Sequence, residues 1–220
     1  CQPAKEEPAV EDDVSVTSND DRQAPDLIAD SSSPPDVEVS AEQLLAARLP
    51  EAEVTEGWIR LFDGHTLFGW QIAGDANWRV EDGSIVVDQG DACLLCTSVP
   101  WQNFELILEF KADADTNSGV FLRTPLNPEN PAEDCYEVNI APADNPFPTG
   151  GIVQRKKATE FNADSDDWHT MKMVMDGKRL QVSVDGSNVC DYSDQIGVAE
   201  GRIGLQHNSG RVEFRNIRLR

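Results

Sequence analysis

The first 57 residues contain no phenylalanine, tyrosine or tryptophan, although the whole chain has 8 Phe, 2 Tyr and 5 Trp. A segment without aromatic residues has little apolar surface to bury, so no packed core is expected in it. The core must therefore be built from residues between Trp58 and Arg220.

Basic residues are also scarce, with 18 Lys and Arg against 40 Asp and Glu, and the formal net charge is −22. A protein of this sign repels phosphate backbones, which excludes nucleic-acid binding as a function. Long apolar runs are missing as well. Nothing in the sequence approaches the roughly 20 apolar residues that a membrane-spanning helix needs, so no transmembrane helix is predicted.

The N-terminal region is rich in proline, serine and acidic residues, a composition typical of an extended, solvated segment. Within residues 1–56 there are 15 acidic and 3 basic residues. We predict a disordered acidic tether with one short helix at about 40–49. Ser40 and Gln43 have the spacing of a capping box, and Pro50 ends the helix. Residues 57–220 form the folded domain.

The chain begins with Cys1 and runs directly into the acidic tether. Mature bacterial lipoproteins begin with a cysteine that carries the lipid, and this sequence resembles such a chain. We therefore expect lipidation at Cys1 and export. The lipid would anchor the protein to the cell envelope, in the periplasm or at the outer membrane. The alternative is an arbitrary chain start.

Four further cysteines are Cys93, Cys96, Cys135 and Cys190. An even number in an exported protein favours a structural disulfide or buried thiols. The C-x-x-C pair Cys93 and Cys96 lacks the βαβ context of a redox motif and the second ligand pair of a zinc site. We expect no metal site and no cofactor, and the sequence leaves a structural calcium ion open.

From Gly57 onwards, short alternating apolar runs are separated by turn signals, which predicts an all-β sandwich or jelly roll. Asp-Gly pairs at 82–83, 176–177 and 185–186 lie between such runs and predict tight hairpins. The other predicted strands are Phe104–Lys111, Gly119–Thr124, Tyr136–Ile140, Gly201–His207 and Val212–Arg220.

Alternation within these strands predicts one polar sheet face, in which side chains of the same strand point away from the core at every second position. Its candidate members are Asn117, Arg123, Glu137, Asn139, Gln206 and His207. Trp70 and Trp101 are candidate aromatic residues at the rim. Amide, guanidinium and carboxylate groups beside an aromatic ring suit a carbohydrate. The alternative is an ordinary solvated sheet face with a structural histidine.

The sequence also resembles a known family through a series of blocks that occur in a fixed order: 61–70 (LFDGHTLFGW), 78–83 (WRVEDG), 117–123 (NSGVFLR), 136–138 (YEV), 149–151 (TGG), 201–207 (GRIGLQH) and 212–218 (VEFRNIR). The family is the 3-keto-disaccharide hydrolase domain, which has a concanavalin- and laminarinase-like jelly-roll fold. It is common in exported proteins of Planctomycetes and Bacteroidetes.

The resemblance implies a glycoside hydrolase that acts on sugars oxidised at C3. It implies Glu137 or His207 as the base or acid and Arg123 as the donor to the enolate oxygen. Asn117, Asn139, Gln206, Trp70 and Trp101 would bind the sugar. An enzyme of this kind requires Glu137, Arg123 and His207 to converge in one pocket. The alternatives are a non-catalytic carbohydrate-binding module and a structural envelope lipoprotein. The family often has Gln at position 139 and Asp at position 141, whereas this chain has Asn139 and Ala141.

Overall fold

The computed structural model describes residues 38–159 and 167–220, and these fold into two antiparallel β-sheets with three short helices. The predictions for residues 1–37 and for the lipid on Cys1 lie outside the described residues and stay predictions. The elements are α1 (Ala41–Ala46), α2 (Glu51–Thr55), β1 (Ile59–Arg60), β2 (Trp70–Ala73), β3 (Arg79–Glu81), β4 (Ser84–Val87), β5 (Cys93–Thr97), β6 (Phe104–Ala112), β7 (Asn117–Thr124), α3 (Pro131–Asp134), β8 (Tyr136–Ile140), β9 (His169–Asp176), β10 (Arg179–Val184), β11 (Ser187–Ser193), β12 (Arg202–Ser209) and β13 (Val212–Leu219).

The predicted N-terminal helix forms only in part. The capping box is present: the Gln43 amide N–H donates to Ser40 Oγ at 3.2 Å, and Ser40 N–H donates to Gln43 Oε1 at 2.9 Å. The helix ends at Ala46, and Pro50 precedes a second helix, α2, that was not predicted. Proline is well tolerated at a helix start because its missing N–H has no intrahelical partner there. Pro50 therefore marks the start of α2, and α1 has already ended at Ala46.

The larger sheet has eight strands in the order β11-β10-β9-β6-β13-β4-β3, with β1 added to β13. Its central strand β6 shows the alternation that the sequence predicts, because Phe104, Leu106, Leu108 and Phe110 are buried and the residues between them are partly exposed. Asp82-Gly83 and Asp185-Gly186 both have positive φ at both positions, as type I′ hairpin turns require.

The smaller sheet has five strands in the order β2-β5-β12-β7-β8. Two of these strands, β2 and β5, were not predicted. β2 has four residues, too few to show a period, and every residue of β5 is buried, so its apolar run does not alternate. The two sheets enclose the main core, to which Tyr136, Phe110 and Phe214 contribute the largest buried side chains. The all-β sandwich prediction is confirmed.

Cys93, Cys96, Cys135 and Cys190 are all buried free thiols. Cys93 belongs to the main core between the sheets, whereas Cys96 belongs to a second apolar cluster with Leu94, Phe121 and Cys135. The two cysteines of the C-x-x-C pair therefore point to opposite sides of β5. The sequence left open either a structural disulfide or buried thiols, and the structure shows buried thiols at all four positions.

Candidate functional site

The candidate site lies on the outer face, by which we mean the side of the five-stranded sheet that points away from the eight-stranded sheet. The strand registers align its side chains in two neighbouring rows across the sheet. Listed from β2 to β8, one row is Ala73, Leu94, Gln206, Gly119 and Asn139, and the next is Gln71, Cys96, Gly204, Phe121 and Glu137. The outer face is thus apolar towards β5 and polar towards β8.

Glu137 is the ionisable group of this face. Its strand β8 alternates as predicted, so Tyr136, Val138 and Ile140 enter the core and Glu137 points outward. Burial raises the pKa of Glu137 to about 7, and hydrogen bonding from the Gln206 side chain acts in the opposite direction. No salt bridge joins Glu137 to a basic residue in the described ranges 38–159 and 167–220. A carboxyl group with this pKa exchanges a proton readily near neutral pH.

Two amide side chains flank Glu137 and present unpaired oxygens. The Asn139 Nδ2 group donates to the Phe147 carbonyl, and Asn139 Oδ1 is buried without a partner. Gln206 Oε1 is likewise buried and unpaired. Buried polar atoms are usually hydrogen-bonded, and a pair of unsatisfied acceptors beside a carboxyl group marks a place where a ligand can supply the donors. Hydroxyl groups of a sugar are such donors.

Gly119 forms the floor between these side chains. A methyl group added to Gly119 would lie 3.3 Å from Glu137 Cγ, 3.5 Å from Gln206 Oε1 and 3.1 Å from the Val138 carbonyl oxygen. The φ angle of Gly119 is not in the left-handed region, so the backbone does not require glycine here. The close approach of the Val138 carbonyl oxygen and the Glu137 side chain instead shows that the neighbouring groups close over Gly119. A side chain at this position would push Glu137 and Gln206 aside.

An apolar cleft of about 220 Å³ adjoins the polar residues on the β5 side. The loop that follows β7 folds over the outer face and forms one wall. The residues that line this apolar cleft are Ala73, Ala92, Cys93, Leu94, Phe121, Leu126, Asn127, Pro128, Pro131 and Gln206. Gln206 is shared between the apolar cleft and the Glu137 site. The two regions are therefore continuous.

The prediction that Arg123 belongs to this face is wrong. Arg123 is the extra residue of a β-bulge, because Leu122 pairs with Ile203 while Thr124 pairs with Arg202. Its φ is 55°, and the bulge turns its side chain into the protein, where only 2% of it is exposed. The guanidinium donates to the carbonyls of Gln102, Gly177 and Val198 and to Asn103 Oδ1. Arg123 ties loops together and is buried away from the outer face.

The prediction that His207 belongs to the site is also wrong. The sequence suggested that the strand ends at His207, but β12 continues to Ser209 and the alternation continues with it. His207 pairs with Cys93, which lies in the main core, so the imidazole points between the sheets and is 3% exposed. Glu137 and His207 therefore lie on opposite faces. The predicted convergence of Glu137, Arg123 and His207 in one pocket does not occur.

The two tryptophans expected at the rim are elsewhere. Trp70 is a core residue that is 3% exposed, and its indole N–H donates to the Leu61 carbonyl at 2.7 Å. Trp101 is partly buried against the main core and bridges to Gly201. Neither residue lines the apolar cleft. Asn117 is partly buried and stands next to this region at the start of β7, where it pairs with Ser209.

The described residues add two further facts. No group of three or more His, Cys, Asp and Glu side chains in them is arranged to hold a metal ion. None of the helices within 38–159 and 167–220 has the length and apolar character to cross a membrane.

Comparison with known protein families identifies the family of this domain. Residues 57–220 match the 3-keto-alpha-glucoside-1,2-lyase-like domain. The chain belongs to this family. The match covers the whole β-sandwich together with Glu137, Asn139, Gln206 and the apolar cleft.

Individual relatives support the same placement. A 3-keto-disaccharide hydrolase of Bacteroides thetaiotaomicron is 32% identical over 96 residues, which cover 37% of this chain and 33% of that protein. This chain therefore matches only about a third of that relative. A candidate glycosyl hydrolase from Parabacteroides distasonis has a TM-score of 0.70 at 21% identity, over 79% of this chain and 98% of that one. The carbohydrate-binding module CBM66 of Bacillus subtilis has a TM-score of 0.55 at 16% identity, over 68% and 93% of the two chains. The two solved structures share the fold, and the comparisons together make this a glycoside hydrolase-like domain.

Sequence reasoning missed the apolar half of the site. Leu94 and Cys96 alternate with Cys93 and Leu95 in a run in which every residue is apolar, so no pattern separates the outer face from the core. Gly119 carries no side chain and so gave no signal of its own. The one available clue was the proline-rich loop after β7, because loops of that length often build binding sites.

Proposed function

We propose that this protein cleaves glycosides whose sugar carries a ketone at C3, with Glu137 as the group that transfers the proton. The observation that carries the proposal is the raised pKa of Glu137, about 7, on a face where two neighbouring buried amide oxygens have no hydrogen-bond partner among the residues that the structure describes. The family to which the chain belongs supports the substrate class.

A ketone at C3 changes what an active site must supply. It acidifies the proton on C2, so a carboxylate is a sufficient base, whereas an unmodified glycoside requires two carboxyl groups flanking the bond. On the outer face described here, Glu137 is the carboxyl group that the strand registers place beside Asn139 and Gln206. One carboxyl group therefore fits elimination better than conventional glycoside hydrolysis.

The proposed step begins with the Glu137 carboxylate taking the C2 proton. The electrons of the C2–H bond form a double bond between C1 and C2, and the C1–O bond breaks towards the leaving group. Glu137, now neutral, returns the proton to the departing oxygen, and the sugar is left as an unsaturated ketone. Addition of water to that ketone gives the hydrolysis products. The pKa of about 7 suits a group that must both take and return a proton near neutral pH.

Asn139 and Gln206 orient the substrate in this proposal. Their unpaired oxygens, Asn139 Oδ1 and Gln206 Oε1, accept hydrogen bonds from sugar hydroxyls. Gln206 also stabilises the charged form of Glu137, which keeps a fraction of that side chain available as a base.

A non-catalytic carbohydrate-binding function is the second candidate. The observation that favours it is the position of Arg123 and His207, which leaves Glu137 without the two partners expected in an enzyme. A binding module would use the same amide oxygens and would need no proton transfer.

The test is turnover of several 3-keto-glucosides by wild type, Glu137→Gln and Glu109→Gln. Glu109 pairs with Arg215 at 2.7 Å on the eight-stranded sheet, so its substitution is a matched control remote from the site. We expect Glu137→Gln to lower kcat by about 100-fold or more, the usual size of a lost acid–base group, with Glu109→Gln unchanged. For wild type, kcat/KM should rise with pH, reach half of its maximum near pH 7 and level off at higher pH, as the carboxylate form accumulates.

Absence of turnover by folded wild type across these substrates would contradict the enzyme function. Calorimetric binding of the same 3-keto-glucosides would then support the binding module. Equal turnover by wild type and Glu137→Gln would remove Glu137 from the mechanism.

A further inference from the structure

The apolar cleft is joined to the proposed reaction centre through one side chain. Gln206 lines the apolar cleft and also contacts Glu137, while its neighbour across the strand pair, Leu94, forms part of the cleft wall. A glycoside whose C1 atom lies beside Glu137 can place its leaving group across the sheet over this cleft or over β8. On the β8 side, Asn139 is already covered by the loop that carries the Phe147 carbonyl. The cleft is therefore the open direction.

The side chains of the lining are mostly apolar, although polar backbone atoms are exposed between them. Cys93 lines the cleft as a residue, but its side chain belongs to the main core. The polar side chains of the cleft are the amides of Asn127 and Gln206, and the rest are alanine, leucine, proline and phenylalanine. Phe121 and Leu94 are 2% and 5% exposed and belong with Cys96 and Cys135 to one apolar cluster. A sugar bears several hydroxyl groups, and each of them that is buried without a partner costs free energy. An apolar leaving group meets no such cost.

The size of the cleft points the same way. Its volume of about 220 Å³ exceeds the roughly 150 Å³ of an apolar cavity that accommodates benzene. One substituted aromatic ring therefore fills it. The walls also include Pro128 and Pro131, which hold the loop in a preformed shape because proline has little backbone freedom.

We propose that the apolar cleft is the leaving-group subsite and takes an aromatic aglycone, so that the preferred substrates are 3-keto-glycosides of phenols. The subsite deepens the proposed function and rests on it. In the reaction, the C1–O bond breaks with its electron pair on the phenolic oxygen, and that oxygen leaves as a phenol with the proton first taken from C2. The sugar product is the unsaturated ketone, and no oxidant or reductant is needed.

The first experiment measures binding alone, so it does not depend on turnover. The probe is free 2-naphthol, titrated by fluorescence into wild type, Leu126→Asp and Leu45→Asp, with glucose as the comparison ligand. Leu126 is a partly buried loop residue of the cleft, whereas Leu45 is 54% exposed on helix α1 and serves as the matched control. We expect 2-naphthol to bind wild type and Leu45→Asp equally, to bind Leu126→Asp at least 10-fold more weakly, and to bind better than glucose.

The second experiment compares kcat/KM for a 3-keto-naphthyl-glucoside and a 3-keto-disaccharide. Naphthol is the better leaving group in any enzyme, so a single comparison of the two substrates is not informative. The informative quantity is kcat/KM for the 3-keto-naphthyl-glucoside divided by kcat/KM for the 3-keto-disaccharide. We expect this ratio to be at least 10-fold lower in Leu126→Asp than in wild type. An unchanged ratio, or 2-naphthol binding that Leu126→Asp does not weaken, would overturn the subsite. Absence of all turnover with 2-naphthol binding intact would instead overturn the proposed function and its leaving-group role for the cleft, and would leave only an aromatic-binding site.

Discussion

Replacing Glu137 by glutamine should stabilise the protein at alkaline pH and leave its stability unchanged in acid. The reason is the pKa of Glu137, which burial raises to about 7 from an ordinary value of 4.5. Below pH 4.5 the carboxyl group is neutral in both the folded and the unfolded chain, so glutamine and glutamic acid are alike. Between pH 4.5 and 7 the unfolded chain loses the proton first, and ionisation then favours unfolding. The stability given by the neutral form is lost over this window.

The magnitude follows from the size of the shift. One pKa unit corresponds to 1.36 kcal/mol, so a rise from 4.5 to about 7 lowers the free energy of unfolding by about 3 kcal/mol above pH 7. Glutamine does not ionise and avoids this loss. In a domain of 150–250 residues, 1 kcal/mol shifts Tm by about 2–4 °C, so the variant should melt roughly 6–12 °C above wild type at pH 8.

The assay is urea unfolding of wild type and Glu137→Gln at pH 4, 6 and 8, followed by tryptophan fluorescence. Glu105→Gln provides a control of opposite sign. Burial alone would raise the pKa of Glu105, but hydrogen bonds from Lys172 and Arg220 outweigh it and lower that pKa. Glu105→Gln should therefore lose stability at pH 8 relative to pH 4. A difference between wild type and Glu137→Gln that is the same at pH 4 and pH 8 would refute the reasoning.

Two further predictions concern Arg123, whose predicted position was wrong, and Gly119, which the sequence analysis did not single out. Arg123→Met should lower the free energy of unfolding by about 3 kcal/mol or more, measured by urea denaturation, because it strands several buried acceptors, while kcat of the folded fraction stays unchanged. Loss of turnover in folded Arg123→Met would restore Arg123 to the site. Gly119→Ala should lower Tm and also lower kcat/KM by about 10-fold or more, because its methyl group would lie 3.1 Å from the Val138 carbonyl oxygen and push the Glu137 side chain aside. A variant as active as wild type would show that the present position of Glu137 beside Gly119 is not required for the reaction.

The fold could be predicted from the sequence where local patterns and tertiary structure agree. Strand β8 was predicted with its observed bounds, Tyr136–Ile140, because three apolar residues alternate with two polar ones. The hairpins at Asp82-Gly83 and Asp185-Gly186 followed from turn chemistry that needs positive φ. Strand β5 escaped prediction because its second face is covered by the loop after β7, and that cover is a tertiary fact.

Of the six residues predicted for the polar face, three were placed correctly, because local pattern and tertiary structure agree at their positions. Glu137, Asn139 and Gln206 face outward because their strands are regular around them. Arg123 could not be placed, since a β-bulge moves one residue out of the alternation and leaves no mark in the composition. His207 was misplaced by a strand end that was predicted two residues too early. An error of one residue reverses the face of a side chain in a strand.

The two outer faces of the sandwich differ in a way that locates ligand binding. On the eight-stranded sheet, charged side chains pair with one another: Asp88 accepts from Arg79 and Arg211 at 2.9 Å, and Glu105 contacts Lys172 and Arg220 at 3.1 and 3.0 Å. These groups already have partners, and a ligand there would have to displace them.

On the five-stranded sheet the opposite holds. The amide oxygens of Asn139 and Gln206 have no hydrogen-bond partner within the described ranges. Burial disfavours the charged form of Glu137, and no basic side chain in the described part of the chain compensates for it. Both features weaken the folded protein, and natural sequences retain such costs where binding or catalysis needs them. The unpaired acceptors require donors and the apolar cleft requires an apolar group, so a ligand that satisfies the whole face must be amphipathic. A glycoside of an aromatic alcohol has that division within one molecule, with its hydroxyls at one end and its ring at the other.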